Sequence, residues 1–244
     1  MVTDIIRRIN RLFSYEKTKI TTDIHSHLLP GIDDGSKSLD ESIKLIKKFI
    51  SLGYKKLIIT PHVMSEGYNN PTSLILEKYN LLKEEINKRN LDIKIEVAAE
   101  YMLDEEFLER LEKKDILTFG KNFLLFETSY YQKPLNFEHI IFKIKSKGYV
   151  PVLAHPERYR YMELRDYEKL KELELLFQCN INSFGGFYGK NVQKKVKYIA
   201  KKQWIDFLGS DCHSMKYLNF MQNVLNDRNF HKNIEHCNIK NEEL

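Results

Sequence analysis

No run in the 244-residue chain approaches the ~20 consecutive apolar residues of a membrane-spanning helix. A helical membrane protein is therefore not expected. Only three cysteines occur, Cys179, Cys212 and Cys237, and none shows CxxC spacing. So sparse and odd a count argues against a disulfide framework and fits a reducing, cytoplasmic setting. The first residues include Arg7, Arg8 and Arg11 but no apolar core of signal-peptide type. Instead Ile5, Ile6, Ile9, Leu12 and Phe13 recur at helical spacing. They predict a short amphipathic helix over about residues 3–14, packed on the domain or, alternatively, touching the inner face of a membrane. No glycine-rich phosphate loop of GxGxxG or Walker type follows the first strand-like run, which disfavours a nucleotide-binding open sheet. Repeats, low-complexity tracts and linkers are also missing, so one domain over 1–244 is expected. The net charge of +5 is mild and dispersed. Pairs such as Lys194-Lys195 and Lys201-Lys202 alternate with apolar residues like solvated helix faces, so nucleic acid is not an expected partner.

What is present is an alternation. Short apolar, β-branched runs cover residues 20–24, 56–60, 93–98, 123–126, 150–154, 176–181 and 205–208. Amphipathic stretches follow them at about 72–89, 104–113, 136–147, 165–175, 191–202 and 214–227. An earlier stretch opens at Ser38 with Glu41 as a capping box and carries the apolar stripe Ile43, Ile46, Phe49 and Ile50. Seven strand-helix units in strict alternation imply a parallel sheet, closed into a barrel or left open and doubly wound.

The strand ends carry the chemistry. The first run leads into HSHLLPGIDDG, with His25, His27, Asp33 and Asp34. Two histidines one residue apart on extended backbone can face the same way and grip one ion. The next ends are Thr60-Pro61-His62, Ala99-Glu100, Phe126-Glu127, His155-Pro156-Glu157-Arg158 and Ser210-Asp211-Cys212-His213. Each has a plainer explanation taken singly: Glu100, Glu127 or Asp211 as a helix cap, His62 or His155 as a structural residue. Yet five of the eight histidines fall at strand ends, and in a parallel α/β barrel those ends share one face. His139, His231 and His236 are expected to be solvent-facing or structural. So many imidazoles and carboxylates at one mouth call for cations. Nitrogen and oxygen donors without thiolate suit manganese, iron or zinc in a catalytic rather than a structural site. Cys212, between two candidate ligands, is expected to point elsewhere.

The ordered set HSH, TPH, a strand-end glutamate, LAHPER and SDCH resembles the PHP (polymerase and histidinol phosphatase) superfamily. Within it, DIHSHLLPGIDDG, ITPH, AAEY, LLFE and LAHPERY are most similar to bacterial protein-tyrosine phosphatases associated with capsule and exopolysaccharide synthesis. The resemblance runs from about Thr22 to His213. It implies a distorted TIM-like (β/α)7 barrel with two to three divalent metal ions, manganese first, iron or zinc as alternatives. Carried over by motif, His25, His27 and Asp211 would hold one ion, with Glu100 bridging to a second completed by Glu127 and His155. Asp34, with Asp33 as the alternative, would join His62 and His213 at the third. Arg158 would contact the phosphate. Relatives often place another arginine after the SDxH motif; here the nearest cation is Lys216, a point charge rather than a fork.

The implied reaction is phosphotyrosine hydrolysis by water activated on metal. The implied partner is a phosphotyrosine protein, the tail of a membrane-bound kinase that regulates polysaccharide export. Aromatic residues in the mouth loops, Tyr68, Tyr130, Tyr131, Phe184, Phe187 and Tyr188, would embrace the substrate ring or simply pack those loops. Residues 63–71 are a candidate lid. Three rival readings stand beside this one: a small-metabolite phosphatase of histidinol-phosphate type, a metal-dependent exonuclease, and a non-catalytic metal-binding partner of a kinase.

Overall fold

The computed structural model describes residues 20–244, so the helix expected over 3–14 lies outside the described residues. Each apolar run becomes a strand: β1 (Thr22–Asp23), β2 (Lys56–Ile59), β4 (Lys94–Val97), β6 (Phe123–Glu127), β7 (Val150–Ala154), β8 (Leu176–Asn180) and β9 (Phe207–Gly209). Two of the runs resume after a break. Pro61, which has no N–H to give a ladder, separates β2 from β3 (His62–Val63), and Ala98-Ala99 separate β4 from β5 (Glu100–Met102). All pairings are parallel, in the orders β1-β2-β4 and β3-β5-β6-β7-β8-β9. Counting β2/β3 and β4/β5 as two bent strands, seven strands follow in chain order around a distorted (β/α)7 barrel.

The amphipathic stretches become α1 (Leu39–Ser51), α2 (Thr72–Lys88), α3 (Glu105–Lys113), α4 (Phe137–Ser146), α5 (Leu164–Glu172), α7 (Lys190–Lys201) and α8 (Met215–Asn226). Two short helices join them, α6 (Ile181–Phe184) and α9 (Arg228–Ile234). Ser38 caps α1 by accepting from the Glu41 N–H at 3.2 Å. The capping box is only half formed, because the Glu41 carboxylate accepts from the Lys37 N–H at 2.8 Å instead. Ile43, Ile46 and Phe49 are buried as their spacing predicts, and Ile50 is half-buried. Among the described residues no helix is long and apolar enough to cross a membrane.

Strand alternation sorts the core into two parts. Leu57, Ile59, Leu124, Phe126, Leu153 and Leu208 belong to the large cluster that also holds the apolar faces of the helices. Their neighbours Ile58, Leu125, Val152 and Phe207 form a second, inner cluster with Ile24, Ala98 and Ala154. Continuing that inner set two or four residues along each strand reaches His62, Glu100, Glu127 and Asp211. One period of two thus fills the barrel and arms its C-terminal mouth.

The seam between β1 and β9 closes through their extensions. The Asp211 N–H donates to the His25 carbonyl at 2.8 Å and the His27 N–H to the Cys212 carbonyl at 3.0 Å. Below, the Ser210 N–H and hydroxyl both donate to the buried Asp23 carboxylate, at 2.7 and 2.8 Å.

Candidate metal centre

At the mouth the His25 and His27 side chains converge, their Nε2 atoms 3.2 Å apart. The other nitrogen of each ring fixes its tautomer. Gln178 Oε1 accepts from the His155 backbone N–H at 3.3 Å and so is an acceptor; His25 Nδ1, 2.8 Å away, must carry its proton. His27 Nδ1 donates to Asp33 Oδ2 at 2.9 Å. Two lone pairs therefore face each other inside a fully buried site. Glu100 Oε2 lies 3.1 and 3.5 Å from the same two nitrogens, and Asp211 Oδ1 3.7 and 3.5 Å. No arrangement of protons on these neutral rings satisfies that cluster, whereas a cation does.

A second group adjoins it. His62 Nδ1 stands 3.1 Å from Glu100 Oε2 and 3.0 Å from Glu127 Oε1, yet all three buried atoms lack a hydrogen bond of acceptable geometry. His155 Nε2 closes this group at 3.0 Å from Glu100 Oε1. The third is nearer solvent. His213 Nδ1 donates to the Asp211 carbonyl at 2.9 Å, which leaves its Nε2 lone pair 3.3 Å from Asp34 Oδ1. His62 Nε2 is 3.5 Å from the same oxygen, so the His62 ring stands between the second and third groups with one nitrogen toward each. Three sets, His25, His27 and Glu100, then His62, Glu100 and Glu127, then His27, Asp34, His62 and His213, each bring one ligand atom per residue within 4.8 Å of one another, a spacing that could hold a metal ion.

The electrostatics agree. Burial alone would depress the His25 imidazole, but the Glu100 carboxylate, helped by Asp211, pushes it up to about 9. Burial also opposes ionisation of Glu100, yet His25 and His62 hold it well below the usual carboxylate range. Asp211 is lowered in the same way against burial, by Arg158 and then His27. His62 is raised against burial by Glu100 and Glu127, and His213 by Asp34 and Asp211. A pocket that drives imidazoles cationic and carboxylates anionic is one that lacks positive charge.

Arg158 borders this cluster. Its Nη1 donates to Asp211 Oδ2 at 2.5 Å, and its guanidinium is clamped between Tyr130 and Tyr188, 4.8 and 4.4 Å from their ring centres. It follows His155, whose φ of +33° bends β7 sharply into a short 3-10 turn over Pro156–Arg158. A cavity of about 250 Å³ opens above, walled by Asp34, His62, Glu127, His155, Arg158, Asp211 and His213 and rimmed by Tyr68, Tyr130 and Tyr217. Tyr68 stacks on His62 with an interplanar angle of 11°.

All nine ligand-type residues carried over from the sequence meet here, as do Arg158, Tyr68 and Tyr130. Phe187 and Lys216 do not line the cavity. Phe187 packs with Tyr188, Tyr217 and Phe220 at 4.9–5.0 Å, and the Lys216 ammonium lies over the Phe187 ring at 5.5 Å. Tyr188 flanks Arg158 and donates to Asp211 Oδ2 at 3.3 Å. The loop 63–71 is pinned by Asn70, whose amide donates to the Ile32 and His62 carbonyls at 3.0 and 2.9 Å. Cys212 turns away toward the Ser214 carbonyl, and all three cysteines are free. His139 and His236 are exposed, while His231 is buried against the Leu225 carbonyl.

Sequence reasoning missed Gln178, Asn180 and Tyr217. The Asn180 amide donates to Asp211 Oδ2 at 2.7 Å. Gln178 and Asn180 occupy alternate positions at the end of β8, so strand periodicity was their signal. That strand was passed over because it ends in amides rather than in His, Asp or Glu.

Residues 21–225 match the family model described as capsular polysaccharide synthesis, CpsB/CapC. CapC of Staphylococcus aureus is 29% identical over 211 residues, spanning 84% of this chain and 82% of that protein. The tyrosine-protein phosphatase YwqE of Bacillus subtilis is 29% identical over 203 residues, 81% of this chain and 79% of that one. A crystal structure from work on YwqE and on CpsB of Streptococcus pneumoniae, described there as metal-dependent tyrosine phosphatases, superposes with a TM-score of 0.75 at 25% identity. It spans 89% of this chain and 96% of the other. With the barrel, the convergent mouth and a match over most of its length, the chain belongs to the CpsB/CapC family.

Proposed function

We propose that this chain is a metal-dependent protein-tyrosine phosphatase. The observation that carries the reading is the pair of imidazole lone pairs at His25 and His27, which face each other and Glu100 beside an arginine-walled, tyrosine-rimmed cavity. His25, His27, Glu100 and Asp211 would hold one divalent ion, Glu100, Glu127 and His155 a second, and Asp34, His62 and His213 a third. Donors that are all nitrogen and oxygen favour manganese, with iron or zinc as substitutes. Bound divalent ions bring a water to a pKa of about 7 and offset charge on the phosphoryl group.

The residues of the chain do the rest. Arg158, fixed by two tyrosine faces and by Asp211, presents its guanidinium edge to phosphoryl oxygens. Tyr68, Tyr130 and Tyr217 flank the aromatic ring of the substrate. Tyrosine leaves with a pKa of about 10, so protonation by a strong acid is not required. Relatives named tyrosine-protein phosphatases support a phosphotyrosine protein as substrate; in a family named for capsule synthesis, the phosphorylated tail of a kinase is the one we propose. The enzyme would then meet that tail in the cytoplasm, at the inner face of the membrane.

The test is metal analysis of the purified protein together with turnover of phosphotyrosine peptides before and after chelation. Chelation is expected to abolish activity and divalent ions to restore it. Arg158→Ala is expected to keep its metal and lose about 100- to 1,000-fold in turnover, the scale of removing one charge-stabilising donor. Activity that survives chelation, or a preference for histidinol phosphate over the peptides, overturns the reading.

A further inference from the structure

Arg158 is a wall shared by two cavities. Behind it, away from the metal centre, lies a second hollow of about 350 Å³ lined by Tyr130, Tyr131, Arg160, Tyr188, Asn191 and Lys195, with Arg158 and Glu157 at its base. Three cations and one carboxylate face it. Arg158 is committed to Asp211. Glu157 is committed too: its Oε1 accepts from the Asn180 N–H at 2.8 Å and the Ser183 hydroxyl at 2.7 Å. Its Oε2 is buried without a hydrogen-bond partner.

The other two cations are uncommitted. Lys195 is only 5% exposed, and its ammonium donates to a neutral acceptor, the Tyr159 carbonyl, at 2.7 Å. Among the described residues no carboxylate lies within ion-pair distance of it. Burial of that kind lowers its pKa. Glu163, Asp166 and Glu157 offset part of that burial through space without contacting the ammonium, and a bound anion in contact with it offsets more. Arg160 is exposed, lies 5.1 Å over the Tyr131 ring, and likewise has no ion-pair partner among the described residues. The Arg160 backbone N–H donates to the Tyr130 carbonyl at 2.8 Å, which ties its turn to the shared wall. On another flank of the metal cavity, past Met64 and Met102, the surface carries Glu66, Asp104 and Glu105. An anion is repelled there and attracted here.

We propose that the Arg160–Lys195 cavity is a subsite for a second anionic group, a carboxylate or a second phosphate, on the same phosphopeptide whose phosphotyrosine enters the metal centre. This rests on the phosphotyrosine reading above and adds a polarity to it. The two cavities are one guanidinium apart, so the anion belongs to a residue close in sequence to the phosphotyrosine, on one side only. Substrates without such a residue fill the metal cavity alone.

The metal-loaded enzyme is assayed with p-nitrophenyl phosphate and with three phosphotyrosine peptides: neutral flanks, nearby glutamates, and a nearby second phosphotyrosine. The anionic peptides are expected to show a KM about tenfold below the neutral one, with kcat little changed, the scale of one charge-assisted contact. Added salt should erode that advantage. Arg160→Ala, at an exposed position, should remove most of it and leave p-nitrophenyl phosphate hydrolysis unchanged; Arg160→Glu should reverse it. A gain for the glutamate peptide alone names a carboxylate site, and a gain for the doubly phosphorylated peptide alone names a phosphate site. Equal KM values for all peptides, or an Arg160→Ala effect equal on neutral and anionic peptides, overturn the subsite. If no peptide is turned over, the phosphatase reading has failed. Peptide affinities by fluorescence anisotropy then decide the subsite by the same comparison.

Discussion

Asp33 and Asp34 are adjacent and do different work. Asp33 is buried and spends both oxygens inside the fold. Its Oδ2 accepts from His27 Nδ1 at 2.9 Å and from the His62 N–H at 3.2 Å, and its Oδ1 accepts from the Gly35 N–H at 2.9 Å. Against burial, His27 and His62 hold it well below the usual carboxylate range. Asp34 is half-exposed and turns to the His62 and His213 Nε2 atoms. In the sequence they are alternatives for one role; the structure turns Asp33 inward and Asp34 toward His62 and His213, and no residue pattern states which of two neighbouring carboxylates turns inward. Asp33→Asn confronts three N–H donors with a side chain that has one acceptor, so the hold on the His27 tautomer slackens. Loss of such a partner behind a metal-binding histidine weakens affinity about 10- to 100-fold. Under the proposed metal assignment Asp34→Ala instead removes a ligand, and should lower the bound metal per chain by up to one ion while leaving affinity for the remainder near normal. Competition with a chelator, read by elemental analysis, separates the two. Identical losses in both variants would refute the division.

At the scale of elements, the loop between β1 and α1 brings those aspartates into place. It folds back so closely that the Ser36 N–H donates to the His27 carbonyl at 3.0 Å and the Gly31 N–H to the Ser36 carbonyl at 2.8 Å. A Cβ on Gly35 would stand 2.1 Å from the His27 carbonyl oxygen. That oxygen is backbone and cannot swing aside. Gly35→Ala must therefore push the loop off His27, carrying Asp33 and Asp34 with it. Overpacking of this kind costs about 1–3 kcal/mol, which in a chain of this size lowers Tm by roughly 2–12 °C. Metal content should fall alongside, measured on the same sample. Normal metal content with a normal Tm would show that the loop has slack. The glycine-flanked spacing of the motif was legible; the contact that requires Gly35 was not, since it depends on which backbone atom the loop meets. Long amphipathic runs announced α1 to α5, α7 and α8, because several turns of a 3.6 period leave a signal. The four-residue α6 and seven-residue α9 are too short for that. Pro61 and Ala98-Ala99 fall at the ends of two predicted runs, and the strands continue past them as β3 and β5, where the apolar signal has given way to His62 and Glu100.

For the molecule as a whole, the barrel must close between its first and last strands, and β1 is only two residues long. The mouth end of this seam is held by the ligand-bearing segments themselves. The opposite end is held by residues 241–244, past the last predicted helix. Asn241 is fully buried there. Its Oδ1 accepts from the Leu208 N–H at 2.9 Å, and its Nδ2 donates to the Thr22 carbonyl at 2.8 Å and the Leu208 carbonyl at 2.7 Å. Glu242 adds bonds to the Thr21 and Thr22 N–H groups at 2.7 and 3.1 Å, and Leu244 packs on the inner cluster at the barrel floor. A lone asparagine gives no periodic signal, yet this one replaces the ladder that β1 and β9 cannot form between themselves. Asn241→Ala leaves one N–H and two carbonyls buried without partners. At about 1–3 kcal/mol for each group fully stranded, and with water reaching some of them, the loss is about 2–4 kcal/mol, or roughly 5–15 °C in Tm. Because the residue lies at the end of the barrel opposite the metal centre, turnover well below the transition should match wild type. Calorimetric unfolding with and without added divalent metal, beside assays at 20 °C, gives both readings. A Tm within about a degree of wild type would mean that β1 stays docked without Asn241, and that the seam is held from the mouth alone.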